Sequence, residues 1–208
     1  MKVTIIGAGN MGRGIGTRAV TGGHEVEIID NDPADAQSLA GDLGSSATAV
    51  DKSSIGGEIV VLALYYPSIA PAIEEYGDQL AGKVVVDIAN PIDFETMDGL
   101  AIPPDTSSAE ETAKLVPSGT PVVKAFNTVF ARVLVKGEVA GQPVDVFIAG
   151  DDDTAKQKVA SLVESGGLRP IDVGPLRRAR QLEQLEFLHI AIQEPLGLGG
   201  ASAIKLLP

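Results

Sequence analysis

A doubly wound α/β fold, with a mainly parallel sheet and a small helical C-terminal part, is predicted by three observations. First, short apolar runs alternate with amphipathic segments of helical period along the 208 residues, as βαβ units require. Second, Glu58 to Leu64 carries Ile59, Val60, Val61, Leu62 and Leu64, an almost unbroken apolar run suited to a strand buried on both faces. Third, the apolar run Val3 to Ile6 stops at Gly7-Ala8-Gly9-Asn10-Met11-Gly12, and a helical pattern follows.

In that turn each glycine has a physical reason. Gly7 allows the sharp bend, Gly9 lets a pyrophosphate approach the backbone, and Gly12 lets the helix pack close to the strand. The helix start then offers free N–H groups and a partial positive charge to phosphate. Strand two, Glu25 to Asp30, ends in an acid at the place where a carboxylate meets a ribose 2′-hydroxyl. This is the dinucleotide-binding fingerprint of a Rossmann-type sheet. The stretch Asp30-Asn31-Asp32 holds two carboxylates and no base, so local chemistry favours NAD over NADP. Arg13 and Arg18 on the first helix are the nearest cations in sequence, and Arg13 has either a phosphate or plain solvent to face.

The remaining elements follow in order. The first helix spans Asn10 to Val20 and stops at Gly22-Gly23. Pro33 opens a short helix with Leu39 and Leu43 on one face. Ala47 to Val50 is a small strand. Tyr65-Tyr66-Pro67 sits at the C-terminal end of the strand after it, where ligands bind in open α/β sheets. The two tyrosines either wall a ring or pack the next helix, which Ser68 caps and Ile69, Ile73, Tyr76 and Leu80 stripe. Lys83 to Ile88 and Pro121 to Ala125 are further strands, leading into Ala89-Asn90-Pro91 and Phe126-Asn127-Thr128. Ile92 to Asp105 is a long irregular connection, either a cover for the site or a surface excursion. Ser108-Ala109-Glu110-Glu111 has capping-box spacing. Val144 to Ala149 is a strand. After it, Asp151-Asp152-Asp153 reads as a helix cap in preference to a metal site. Leu168 to Val173 is the last strand. The final helix, through Ile192, carries Leu182, Leu185, Leu188 and Ile192 in a stripe. Phe187, Ile190 and Ala191 add to it, so burial by a second subunit, a homodimer, is expected. The dinucleotide-binding domain is placed at 1–150, with 151–208 packed on it as one unit.

Composition narrows the function. There is no cysteine, which removes disulfides, thiolate nucleophiles and Cys-ligated metals. The net charge of −12 disfavours nucleic acid and anionic membranes as partners. No apolar run reaches membrane-spanning length and no secretory signal precedes strand one, so a cytoplasmic location is expected. Acid/base equipment is thin. His24 lies in a turn away from the ligand edge, and His189 on the last helix suits packing. Lys124 is the best lone lysine, with no carboxylate near it in sequence. Hydride transfer between two stacked redox rings needs no proton-transfer residue. Alternatives are reduction of a small carbonyl or imine with Lys124 or a tyrosine as acid, and a non-catalytic dinucleotide-sensing module.

The segments GAGNMG at 7–12, VVKAFNTVFARVL at 122–134 and GDDDTAKQKVASLVESGGLRPIDVGPL at 150–176 resemble the reductases that pass hydride between NADP and the deazaflavin coenzyme F420. KAFNT also resembles the cytosolic oxidoreductase domain of STEAP-type metalloreductases, which uses NADPH and a flavin. The resemblance implies a dimeric Rossmann enzyme binding NADP or NAD together with coenzyme F420 or a flavin. It implies that Gly7, Gly9, Asn10, Met11 and Gly12 hold the pyrophosphate. Leu64, Tyr65 and Pro67 would line the dinucleotide groove, and Ala89, Asn90 and Pro91 would border the nicotinamide. Asn127, Gly174, Pro175 and Leu207 would surround the second ring. Asp30-Asn31-Asp32 departs from the basic signature of NADP-using members.

Overall fold

The computed structural model describes residues 1–207; Pro208, the last residue of the expected C-terminal part, lies outside them. In chain order the strands are β1 (Lys2–Ile6), β2 (Glu25–Ile29), β3 (Ala47–Ala49), β4 (Ile59–Leu62), β5 (Val84–Asp87), β6 (Val122–Lys124), β7 (Glu138–Val139), β8 (Gln142–Pro143), β9 (Asp145–Gly150) and β10 (Arg169–Gly174). The helices are α1 (Asn10–Thr21), α2 (Pro33–Leu43), α3 (Ile69–Tyr76), α4 (Ser108–Leu115), α5 (Ala131–Lys136), α6 (Asp153–Ser165) and α7 (Ala179–Ala191). Eight strands form one sheet in the order β10-β9-β6-β5-β4-β1-β2-β3, and β7 with β8 makes a separate hairpin.

The period-two alternation of the strands decides the two layers. Val3, Ile5, Ile59 and Val61 face a core built by Ile15 and Ala19 of α1, Leu39 of α2, Leu134 of α5 and Val159 of α6. Ile6, Val60, Leu62 and Val85 face the opposite core, with Ile69, Ile73 and Tyr76 of α3, Ala109 of α4, and Leu176 and Ala179. Gly12 is required here because a Cβ would stand 2.0 Å from the Gly7 carbonyl oxygen. Gly7 itself has φ +112°.

Several expected elements shift for identifiable reasons. Ser107, not Ser108, caps α4 by accepting from Glu110 N, while Ser108 Oγ turns inward to donate to Asp87 at 2.8 Å. Ser68 makes no side-chain cap; it closes a 3-10 turn over Tyr66–Ser68. Asp152 caps α6 by accepting from Ala155 N at 2.8 Å, and Asp151 accepts from Leu176 N at 2.9 Å. The connection after Ile92 is ordered by an Ile92–Leu100 bridge and by Asp93, which accepts from Glu95 N, Thr96 N and Thr96 Oγ1.

The strand direction reverses once. β9 pairs antiparallel with β6, Val123 opposite Gly150 and Lys124 opposite Ala149, and β10 runs parallel to β9. The C-terminal ends of β1, β2, β4, β5 and β6 therefore share an edge with the start of β9.

The stripe expected on the last helix is only partly covered within the chain. Leu182 is buried, but Leu188 is 59 % exposed, while Glu183, Glu186 and His189 point inward. The reason is polar: Glu183 meets Lys124, and His189 Nδ1 lies 3.0 Å from Glu186 Oε2. His189 Nε2 reaches Ser202 Oγ at 2.8 Å and so ties the following tail to α7.

That tail is pinned a second time by Asp145. Its buried carboxylate accepts from Arg169 Nε at 2.8 Å, Lys205 Nζ at 2.8 Å and Leu206 N at 2.9 Å. Burial works to raise the Asp145 pKa, but these donors outweigh it and lower it to about 2. A depressed carboxylate contributes stability above its unfolded pKa and loses it as pH falls through the folded one, here between about pH 4 and pH 2. Asp145→Asn is expected to cost about 2 kcal/mol at pH 7 and almost nothing at pH 2. Urea unfolding at the two pH values measures this; an equal cost at both would refute the ionic origin.

Candidate functional site

The shared edge gathers most of the predicted site. Gly9 is the N-cap of α1, with φ −72° and no side-chain cap, and the first turn of α1 carries no acid. The N–H groups of Asn10, Met11 and Gly12 therefore remain open donors at a positive helix end. A Cβ built on Gly9 meets nothing within 4 Å, so the glycine leaves a free cradle above the backbone. That cradle and those donors fit a pyrophosphate.

Next to it, Asp30 follows β2. Its Oδ2 accepts from Ala8 N at 2.6 Å and its Oδ1 from Asp32 N at 3.1 Å. A cavity of about 210 Å³ runs from Gly7 past Asp30, Leu64 and Pro67 to α3. A second, of about 340 Å³, lies on the other side of Asp30 against β3. The tyrosines divide their roles. Tyr66 packs into the core beside α3, whereas Tyr65 is exposed and stands edge-on to Phe94, ring centroids 6.2 Å apart. Burial first, then Glu111, Glu183 and Asp87, pushes the Tyr66 hydroxyl pKa up, which weakens it as an acid.

The loops after β5 and β6 are tied together. Asn90 Nδ2 donates to the Asn127 carbonyl and Asn127 Nδ2 donates to Asn90 Oδ1, both at 2.9 Å. Phe126, fully buried, takes φ +62° to make the turn that allows this. A bulky residue in that region stores about 1–3 kcal/mol of strain, a cost tolerated mainly at functional sites. Asn127 Oδ1 and Thr128 Oγ1 are buried without a hydrogen-bond partner. Two orphaned polar atoms at this edge fit a polar ligand group.

Lys124 has carboxylate partners that sequence spacing did not reveal. Its side chain is fully buried, and Nζ donates to Asp87 Oδ1 at 2.9 Å, Glu183 Oε1 at 2.7 Å and the Ala89 carbonyl. Burial works to lower its pKa, but the two carboxylates outweigh this and hold it protonated. Burial raises the pKa of Glu183, with Lys124 offsetting part of the effect. All three ammonium hydrogens are engaged, so Lys124 positions the Ala89-Asn90-Pro91 loop and has no free proton donor for a substrate.

Gly174 and Pro175 do not join this edge. Because β9 reverses direction and β10 follows it, they leave the sheet at the opposite end, beside Asp151. Leu207 is on the ligand-edge side, exposed, but two strands over beside Asp145 and Ala203. His24 lies at the opposite edge, bonded to Ser165 Oγ at 2.7 Å.

This sheet order, with an open helix start after β1 and an acid after β2, defines a Rossmann-type, dinucleotide-binding class of fold. The family model for coenzyme F420-dependent NADP oxidoreductases matches residues 2–91. A crystal structure from Arthrobacter sp. FB24, provisionally named an F420-dependent NADP reductase, superposes with a TM-score of 0.87 at 31% identity, covering 100% of both chains. The F420-dependent NADP reductase of Methanocaldococcus jannaschii is 29% identical over 92% of each chain. The metalloreductase STEAP3 of Rattus norvegicus is 33% identical over 88% of this chain, which spans 36% of the STEAP3 length. The chain belongs to the coenzyme F420-dependent NADP oxidoreductase family. Imine reductases, such as that of Streptomyces aurantiacus at 20% identity and TM-score 0.68, share the fold. Among the described residues no helix is long and apolar enough to cross a membrane.

Proposed function

We propose that this chain transfers hydride between a nicotinamide dinucleotide, NADP or NAD, and a second redox ring system, coenzyme F420 or a flavin. The observation that carries the reading is an edge that gathers an open phosphate cradle and polar loops while its one buried lysine has no proton free to give. Reduction of a carbonyl needs a positioned acid, whereas ring-to-ring hydride transfer needs proximity and alignment. When bound, the nicotinamide supplies the hydride-carrying carbon.

In this reading Gly7, Gly9, Asn10, Met11 and Gly12 hold the pyrophosphate, and Asp30, Leu64, Tyr65 and Pro67 line the adenosine side. Ala89, Asn90 and Pro91, held by Lys124 and Asn127, border the nicotinamide. Asn127 and Leu207 remain on the acceptor side; the position of Gly174 and Pro175 argues against a contact there. Residues 1–150 act as the dinucleotide-binding part and 151–208 as its extension. The exposed outer face of α7, with Leu188 and Ile192, supports a homodimer. Small redox coenzymes are the partners, and the cytoplasm is the proposed location.

Reduced coenzyme F420, offered with NAD and NADP separately, tests the assignment by the appearance of reduced nicotinamide. Turnover with either nucleotide is expected. Measurable nucleotide binding with no turnover, with a flavin also inactive, would overturn the hydride-transfer reading.

A further inference from the structure

The adenosine end of the cleft is electrostatically closed to a phosphate. Among the described residues Lys52 is the one cation lining the two cavities that meet at Asp30, against the carboxylates of Asp30, Asp51 and Glu75, an excess of two negative charges. Lys52 is already engaged: Nζ donates to Asn31 Oδ1 and to Glu75 Oε1, each at 2.8 Å. Its ion pair with Glu75 bridges the β3 side of the cleft to α3. Arg13, near the start of α1, is paired with Asp42 at 2.8 Å. The N-terminus of α2 is closed as well, with Asp32 accepting from Ala34 N and Asp35 in the first turn.

We infer that this chain discriminates for NAD(H), with its free 2′-hydroxyl, against NADP(H), and that Glu75 is a specificity-determining residue because it neutralises Lys52. The inference rests on the dinucleotide reading above and departs from the nucleotide in the family's name. Asp30, fixed by Ala8 N and Asp32 N, keeps oxygen lone pairs for a ribose hydroxyl. A 2′-phosphate placed there meets that carboxylate with no cation to spare, and like-charge juxtaposition is costly. Glu75 lies on α3, far from β2 in sequence, so the usual comparison of residues at the end of β2 overlooks it.

Calorimetric titration of the full chain with NADH and NADPH at fixed ionic strength tests this without an acceptor. The wild type is expected to bind NADH at least about tenfold tighter than NADPH. Glu75→Gln keeps an acceptor for Lys52 and removes the neutralising charge, so the ratio of NADPH to NADH affinity should rise by about tenfold. Adding Lys52→Met to Glu75→Gln should erase that gain. NADPH binding as tightly as NADH, or a ratio unmoved by Glu75→Gln, overturns the inference and leaves the oxidoreductase reading standing. Binding of neither nucleotide overturns both.

Discussion

Lys124→Met is expected to destabilise the protein by about 3–5 kcal/mol, because it leaves Asp87 and Glu183 buried without their counter-charge. Both carboxylates and the lysine are fully buried, so water cannot fill in for the missing partner. Asp87 retains Ser108 Oγ and Thr112 Oγ1, at 2.8 and 2.7 Å, which softens its loss, whereas Glu183 keeps only the Ser108 N–H. Adding Glu183→Leu should therefore recover part of the deficit, since an apolar pair of similar volume packs where an orphaned carboxylate cannot. Chemical denaturation of the two single variants and the double closes the cycle. A single-variant cost under about 1 kcal/mol, or a double variant no better than Lys124→Met, would show that the ion pair is not what holds this region.

Gly9→Trp is expected to abolish dinucleotide binding at only a small cost to folding. The space beyond Gly9 is open and its φ of −72° suits any residue, so the fold loses only about 1 kcal/mol of N-cap preference. The indole then occupies the cradle and blocks the helix N–H donors, and affinity should fall by at least about 100-fold, equivalent to about 2.7 kcal/mol. Titration with NADH or NADPH beside a thermal melt separates the two effects. Unchanged affinity with an unchanged melting temperature would move the phosphate site away from α1.

The half of the site built from β1, α1 and β2 was legible because its rules are local. A glycine turn between a strand and a helix, and an acid ending the next strand, depend on neighbours within a few residues. The rest of the site depends on long-range pairing. Lys124 had no carboxylate nearby in sequence, because Asp87 and Glu183 arrive from β5 and α7. The same pairing turns Glu183 inward and leaves Leu188 on the exposed side of α7. Gly174 and Pro175 were expected beside the second ring only because the family resemblance implies it; the antiparallel pairing of β9 on β6, with β10 following β9, sends them to the far end. The elements within 129–143 leave no period in the sequence, since α5 is a six-residue helix and the β7–β8 hairpin pairs two residues a side.

The inward Glu183 has a consequence for the order in which the molecule is made. During synthesis β6 emerges long before α7, so a nascent chain ending before Glu183 holds an ammonium for which one of its two carboxylates does not yet exist. The Ala89 loop, whose carbonyl binds that same ammonium, is thus held by a lysine whose ion pairing spans β5, β6 and α7. In chain order the residues of the phosphate cradle come first, and the last counter-charge behind the proposed nicotinamide side comes from α7, near the end of the chain.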